Sequence, residues 1–532
     1  MRDLFYPGRS VVHATNGMAA TSHPLSTATA LNILNDGGNA IDAAIAAVAV
    51  QCVVEPHSTG IGGDCFCLLS KSSGEVIGYN GSGTTPSSTH LEWYNENDLT
   101  FIEQNSPHSV TIPGAIDAWD TLLQDHGSMP LSEVLKPAIG YAENGFSVHH
   151  RQQTDWSMCL ELLKRDPTSA SQFLINNQTP GVGDIIKLPL LANTLKEIAN
   201  NGRDAFYKGW IMEDMVAHLK KLGGLHSEED FANYTGKYIE PIKSNYRDYS
   251  VIECPPNGQG IIALAGLNIL SNFNMADLPP DSAERLHLEI EATRIAYRDR
   301  GQFLGDPDFN ELPIDNWLNT NTGKLYAEQI DTKKRSSLIP GQLIANHEDT
   351  VYLTVVDKDR NAVSLINSLF KSFGSGLTAP KSGIIFHSRG EGFTLKPDHP
   401  NTIGPNKRPL HTIIPGLLAK NGQTVMTFGV MGGQYQACGH MHLLSNLLDY
   451  GMDLQEAIDF PRIFPDFENG DQRVQIEPGF NDQTLTSLKD MGHKLYTPEA
   501  PIGGAQAIWI DWENNVLRGA SDPRKDGMAS GY

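Results

Sequence analysis

The sequence is short of positive charge: 40 Lys and Arg stand against 62 Asp and Glu in 532 residues, a net charge of −22. That deficit argues against a nucleic-acid backbone or an anionic membrane as the main partner. Cysteine is scarce as well. Of the six (Cys52, Cys65, Cys67, Cys159, Cys254, Cys438) only Cys65 and Cys67 are close, and their spacing puts both on one face of a strand instead of in a Cys-x-x-Cys metal or redox geometry. Buried thiols in a reducing, cytoplasmic setting are expected. Long apolar runs are missing. The longest, residues 40–54, is interrupted by Asp42 and Gln51 and is too short to span a bilayer. Residues 1–8 contain no apolar core of the length a secretory leader needs.

The usual catalytic signatures are also missing. There is no G-x-x-x-x-G-K-[ST], no H-E-x-x-H and no G-x-S-x-G, since Gly81-Ser82-Gly83 and Gly374-Ser375-Gly376 have the wrong spacing. Gly258-Gln259-Gly260 followed by Ala263 matches a dinucleotide fingerprint, but Pro255-Pro256 occupies the place of the short strand-to-helix turn. It reads as a turn entering a helix. His149-His150 and His440-x-His442 lack further ligands nearby and read as surface or packing histidines. No cofactor and no metal are expected.

What is present is a change of texture along the chain. Residues 24–35 read as a helix stopped by Gly37-Gly38; Asn39 then caps 40–54, apolar on nearly every face and so a helix buried all round. Residues 65–69 and 76–79 form a strand pair around Ser72-Ser73-Gly74. Helix-spaced apolar residues recur over 131–145, 189–200, 211–222 and 283–300. Residues 325–349 are polar and aperiodic, an exposed connection. After it the pattern is β: a hairpin of 351–356 and 362–366, then strands at 383–386, 411–414, 425–428, 505–510 and 516–518, with helices at 440–450 and 454–460. Helices flanking stacked strands give an α+β fold, a four-layer α/β/β/α sandwich in one continuous structure.

The junction Asp349-Thr350, where the polar connection meets the first hairpin, carries the chemistry. Taken alone, a Thr opening a strand means β-propensity. In stacked sheets after a cuttable loop, it also fits an amino-terminal nucleophile. The Thr350 hydroxyl attacks its own preceding carbonyl, the peptide becomes an ester, and water releases a chain beginning at Thr350. The freed α-amine, with an ordinary pKa near 8, then serves as base for the adjacent hydroxyl. The products are a large chain, 1–349, and a small chain, 350–532, together forming one fold.

At this point the sequence resembles the γ-glutamyltranspeptidases (glutathione hydrolases), and does so over nearly its whole length. The motifs that carry the resemblance are Gly37-Gly38-Asn39-Ala40-Ile41-Asp42, the stretch from Val54 to Gly63, Val110-Thr111-Ile112-Pro113-Gly114, Gly305-Asp306-Pro307, Asp349-Thr350, Phe373-Gly374-Ser375-Gly376, Ser382-Gly383-Ile384, Met431-Gly432-Gly433, Ala520-Ser521-Asp522-Pro523-Arg524 and Gly531-Tyr532. The resemblance implies an N-terminal nucleophile hydrolase fold with Thr350 as nucleophile and base. Ser368 takes the place of a hydroxyl that bonds the nucleophile. Gly432 and Gly433 take the place of backbone oxyanion donors, where glycine allows close approach to the reacting carbon.

The departures concern the substrate. A γ-glutamyl group carries a carboxylate and an ammonium, each needing a partner. The family's carboxylate-binding Arg falls near Ser82, an Asn becomes Phe370, an ammonium-binding Asp becomes Gly392, and two serines become His411 and Thr412. Phe370 would fill space, and Arg389 and His411 are candidate partners of an anion. The resemblance therefore points to hydrolysis of a small amide bearing a carboxylate, oxamate-like, by a cytoplasmic amidohydrolase similar to the oxamate amidohydrolase branch. Two alternatives stay open: a glutathione or γ-glutamyl hydrolase or transpeptidase, and an uncleaved, non-enzymatic binding scaffold. The partners implied are the small amide and the two chains of one precursor. A homodimer is compatible with the sequence, and nucleic acid and membrane are not expected.

Overall fold

The computed structural model describes residues 8–337, 350–467 and 473–532. The expectations for residues 338–349, Asp349 and the cleavage junction included, lie outside the described residues.

Two seven-stranded antiparallel sheets form the centre. In one the order is Met528–Gly531, Met18–Thr21, Val351–Val356, Ala362–Ser368, Asp64–Ser70, Val76–Gly81 and Lys237–Ile239. In the other it is Val12–Ala14, Val516–Ser521, Gly504–Asp511, Gln423–Met431, Gly416–Lys420, Tyr249–Glu253 and Ile242–Tyr246. Strand alternation assigns the two faces of each sheet. Leu353 and Val355, with Cys65 and Cys67 two strands away on Asp64–Ser70, face a helical core. Tyr352, Phe66, Leu68 and Ile366 face the other sheet and meet Ile252, Leu417 and Met431 there. On the far side, Met426, Phe428 and Val430 pack against the helices Gly260–Leu270, Ala283–Phe303 and Gln436–Leu448. Four layers in the order α/β/β/α result.

The helix Ala40–Val54 shows how the local sequence builds this. Asn39 Oδ1 accepts from the Ile41 and Asp42 N–H groups at 2.9 and 3.1 Å, and Asp42 Oδ2 accepts from Asn39 N at 2.8 Å. That reciprocal cap fixes the start. Every one of its residues is buried, between the sheet and the helices Pro24–Asn35 and Lys136–Asn144, so an all-round apolar composition is what its site demands.

Three expectations are corrected. The helix over 131–145 is two, Leu131–Val134 and Lys136–Asn144, because Pro137 in the first turn of the second supplies no N–H to continue the first. Residues 383–386 and 411–414 are not strands. They make only isolated bridges, Ile385 to Thr378 and Phe386 to Gly62 in the first, and His411 to Gly258 in the second. The first segment begins at Gly383, with φ +69°, and follows a stretch in which Phe370, Phe373, Gly374 and Gly376 also have positive φ. In the second, the Ile414 N–H is satisfied by a side chain, Gln436 Oε1 at 3.1 Å, instead of by a neighbouring strand.

Candidate active site

Thr350 sits directly before the central strand Val351–Val356 and is 1% exposed. The hairpin register pairs Val351 with Asn367, which sets Thr350 beside Ser368. Their hydroxyl oxygens are 3.1 Å apart. Ser368 Oγ also accepts the Phe370 N–H at 2.9 Å and an Nη2–H of Arg389 at 3.3 Å. With both lone pairs so occupied, its own proton is directed at Thr350 Oγ1. Ser368 is therefore a donor to Thr350 and not a base for it.

The glycine pair closes the strand Gln423–Met431 from the facing sheet. Thr354 and Thr427 bond through their hydroxyls across the gap, and a Cβ on Gly429 would strike the Tyr352 ring at 2.4 Å. The same two-residue steps carried on bring Thr350 level with Met431, one residue short of Gly432. Gly432 has φ +117° and Gly433 φ +53°. Only glycine adopts the first without strain. Their carbonyls are occupied by Tyr435 N–H at 2.9 Å and Gln259 Nε2 at 3.0 Å. Among the described residues neither N–H is given to a turn, loop or side-chain acceptor.

Arg389 lies in a short 3-10 turn that also contains Gly392, and it is fully buried. Its Nη1 donates to Thr412 Oγ1 at 3.1 Å, and its guanidinium carbon stands 4.2 Å over the Phe370 ring. Burial pushes its pKa down to about 9, against the pull of Asp64, so the group remains a cation at neutral pH. His411 is also buried, with Nε2 2.9 Å from Asp64 Oδ2. Burial, with Arg389 nearby, pushes it down to about 3. At neutral pH His411 is therefore uncharged and tied to Asp64. Ser82 stands further back. Its Oγ donates to Asn80 Oδ1 at 2.7 Å and accepts from Asn257 Nδ2 at 3.2 Å.

Thr350, Ser368, Phe370, Arg389 and Thr412 therefore form one chain of direct contacts. His411 joins through Asp64, and Ser82 through its neighbour Gly83, whose N–H donates to Asp64 Oδ1 at 3.0 Å. Asp64 is the residue that sequence reasoning missed. It follows Gly62-Gly63 directly and lies opposite Ser368 in register. A Cβ at Gly63 would come within 2.3 Å of Ser368 O, so glycine there is what lets the two strands approach.

Among the described residues one cluster has metal-ligand types, His287, Glu291 and His493. Hydrogen bonds account for it: His287 Nδ1 meets His493 Nε2 at 2.8 Å, and Glu291 accepts from Arg294 and from Ser336 N–H. His440 and His442 are buried and bound to Glu253 and Glu289, at 2.6 and 2.8 Å, as packing histidines. No helix among the described residues is long and apolar enough to cross a membrane.

Residues 26–532 match the family described as gamma-glutamyltranspeptidase. The chain belongs to that family. It is 36% identical over 531 residues to the glutathione hydrolase-like YwrD proenzyme of Bacillus subtilis, covering 98% of this chain and 99% of that one. It is 32% identical over 530 residues to the oxamate amidohydrolase proenzyme of Klebsiella pneumoniae, covering 98% and 99%. The crystal structure of cephalosporin acylase from Bacillus halodurans superposes with a TM-score of 0.93 at 37% identity, covering 100% of this chain and 99% of that one. The protein is an enzyme, a hydrolase of the N-terminal nucleophile type, with relatives named as proenzymes. Those names refer to three different substrates on one framework. Family membership defines the reaction class and leaves the substrate to the pocket.

Proposed function

We propose that this enzyme cuts itself between Asp349 and Thr350 and then hydrolyses a short amide carrying a carboxylate close to the scissile carbonyl. The observation that carries the reading is the Arg389 guanidinium, buried and donating to the same Ser368 oxygen that contacts Thr350. A fixed cation two contacts from the nucleophile favours a substrate whose negative charge lies within a few bonds of the reacting carbon. Thr350 Oγ attacks the amide carbon while its hydroxyl proton passes to the freed α-amine. The Gly432 and Gly433 N–H groups receive the oxyanion, and the amine gives its proton to the departing nitrogen. Water then opens the acyl ester. The balance is amide plus water to carboxylate and ammonium.

γ-Glutamyl hydrolysis is the second reading, favoured by the name of the 36%-identical relative. Against it, no charged side chain stands at Ser82, Phe370 or Gly392. The deciding experiment compares ammonia release from oxamate with turnover of a γ-glutamyl anilide by the two-chain protein, in wild type and Arg389→Gln. Oxamate turnover with a KM that rises at least tenfold in Arg389→Gln is expected, since a lost charge-assisted contact is worth about 1.5–3 kcal/mol. Efficient γ-glutamyl turnover with no oxamate activity would transfer the assignment to the second reading.

A further inference from the structure

The Asp64 carboxylate is fully buried behind the nucleophile and gathers four groups. Oδ1 accepts from Gly83 N–H at 3.0 Å; Oδ2 lies 2.9 Å from His411 Nε2, 3.7 Å from His387 Nδ1 and 3.8 Å from Arg389 Nε. His387 Nε2 is turned away, to the Thr111 carbonyl at 2.9 Å. Both histidines are held neutral by burial. Burial would raise the Asp64 carboxyl too, but its surroundings, with the His411 Nε2 hydrogen bond and the Arg389 cation among them, outweigh it and leave the group ionised. The cluster therefore holds one negative and one positive charge, Asp64 and Arg389. The two do not share a hydrogen bond: Arg389 Nε–H is buried without a partner. One further N–H remains on each of Nη1 and Nη2 beyond those given to Thr412 and Ser368. The guanidinium is a half-compensated cation with donors to spare.

We infer that Asp64 is a positioning residue whose charge limits how tightly Arg389 holds a carboxylate, so that the product of hydrolysis can leave. The inference rests on the reading that the substrate is a carboxylate-bearing amide. Hydrolysis of such an amide turns a monoanion into a dianion. An uncompensated buried guanidinium would then bind product more tightly than substrate, and each turnover would end in a trap. A carboxylate placed 3.8 Å behind Nε, too far to hydrogen-bond and close enough to cancel much of the field, removes that preference.

The test uses the two-chain enzyme, with oxamate as substrate, neutral oxamide as control, and oxalate and its monomethyl ester as dianionic and monoanionic inhibitors. Asp64→Asn removes the charge and keeps one acceptor, for the Gly83 N–H, while its amide NH2 faces His411 Nε2. The expected result is an oxamate KM lowered about tenfold, an oxalate inhibition constant lowered further, a reduced kcat, and an unchanged KM for oxamide. A structural role alone would raise KM or depress both substrates together, and either result overturns the inference. Should Asp64→Asn not mature, the wild type still decides. Oxalate and the monoester should inhibit within about threefold of each other, and a dianion preference above about tenfold sinks the idea. Wild-type enzyme that neither turns over oxamate nor binds these anions refutes the substrate reading instead, which separates the two failures.

Discussion

Thr350 Oγ1 receives the proton of Ser368, 3.1 Å away, because Phe370 N–H and Arg389 Nη2 already occupy the Ser368 lone pairs. The relationship assigns roles by counting donors and acceptors. In the proposed reaction Ser368 would fix the direction of the Thr350 hydroxyl and stabilise charge developing on it, and the general base would come from elsewhere. The α-amine that cleavage would expose on Thr350 is the nearest candidate by construction.

Thr350→Ala should give a folded, uncut and inactive chain, since one buried methyl and one hydroxyl are lost from a strand end while both sheet cores stay intact. Thr350→Ser should cut and turn over more slowly, the hydroxyl no longer being restricted by a β-methyl. A denaturing gel reads this directly as two bands ending and beginning at residues 349 and 350. Normal two-chain Thr350→Ala protein would show that the nucleophile lies elsewhere.

Ser368→Ala strips an acceptor from a buried N–H and from a buried guanidinium as well as a donor from Thr350. The expected loss is ten- to a hundredfold in kcat, on the order of 1–3 kcal/mol. The acidic limb of the pH–rate profile should keep its midpoint, at or below the ordinary α-amino value of about 8, because Ser368 is not the titrating group. A midpoint displaced by a full unit would return the base role to Ser368.

The legible parts of the molecule were those where one residue's environment repeats. Ala40–Val54 is apolar on every face, Asn39 precedes it, and the hairpin after Thr350 alternates, so element type and the four layers followed. Gly432 was singled out by the resemblance alone, and its φ of +117° is one that glycine adopts without strain. Asp64 was not legible, because as the first residue of Asp64–Ser70 it means nothing until register sets it opposite Ser368. Arg389 was legible as a candidate partner of an anion, but its burial was not. Only the fold supplies the Phe370 ring and the Asp64 carboxylate that permit its burial. The strand Gly416–Lys420 was hidden for a related reason: its place is given by two partners, Gln423–Met431 and Tyr249–Glu253, that are distant from each other in sequence.

Acid should destabilise the protein below about pH 6.5. Burial pushes His23, His411 and His493 down to about 3. Between the unfolded value near 6.5 and about 3, the unfolded chain binds protons that the folded chain refuses, so stability falls as pH falls. Glu55, pushed up to about 7 by burial, works the other way, holding a proton in the fold that the unfolded chain releases above about 4.5. His226, lowered to about 4 by burial, adds to the histidine side, and Tm should drop from pH 7.5 to 5. His23→Asn, which retains an acceptor for the Leu25 N–H, should flatten the slope. A Tm that rises over this interval contradicts the balance.

Rebuilding a glutamyl clamp should succeed at two of its three positions. At Gly392 an added Cβ would meet Leu410 O at 3.4 Å and Pro409 Cβ at 3.8 Å, ordinary contacts, so Gly392→Asp is accommodated. Phe370 has φ +82°, a conformation asparagine tolerates better than phenylalanine, so Phe370→Asn relieves backbone strain while removing the ring beneath Arg389. Ser82 is fully buried and bonded to Asn80 and Asn257, so an arginine there has no room and takes one hydrogen bond from each amide. Gly392→Asp with Phe370→Asn should therefore fold, mature and gain measurable γ-glutamyl anilide turnover at the expense of oxamate. Adding Ser82→Arg should lower Tm sharply, by the mechanism of overpacking with unsatisfied polar groups. A stable triple variant with strong γ-glutamyl activity would mean that the Asn80–Ser82–Asn257 network yields, and that the pocket is more plastic than its hydrogen bonds imply.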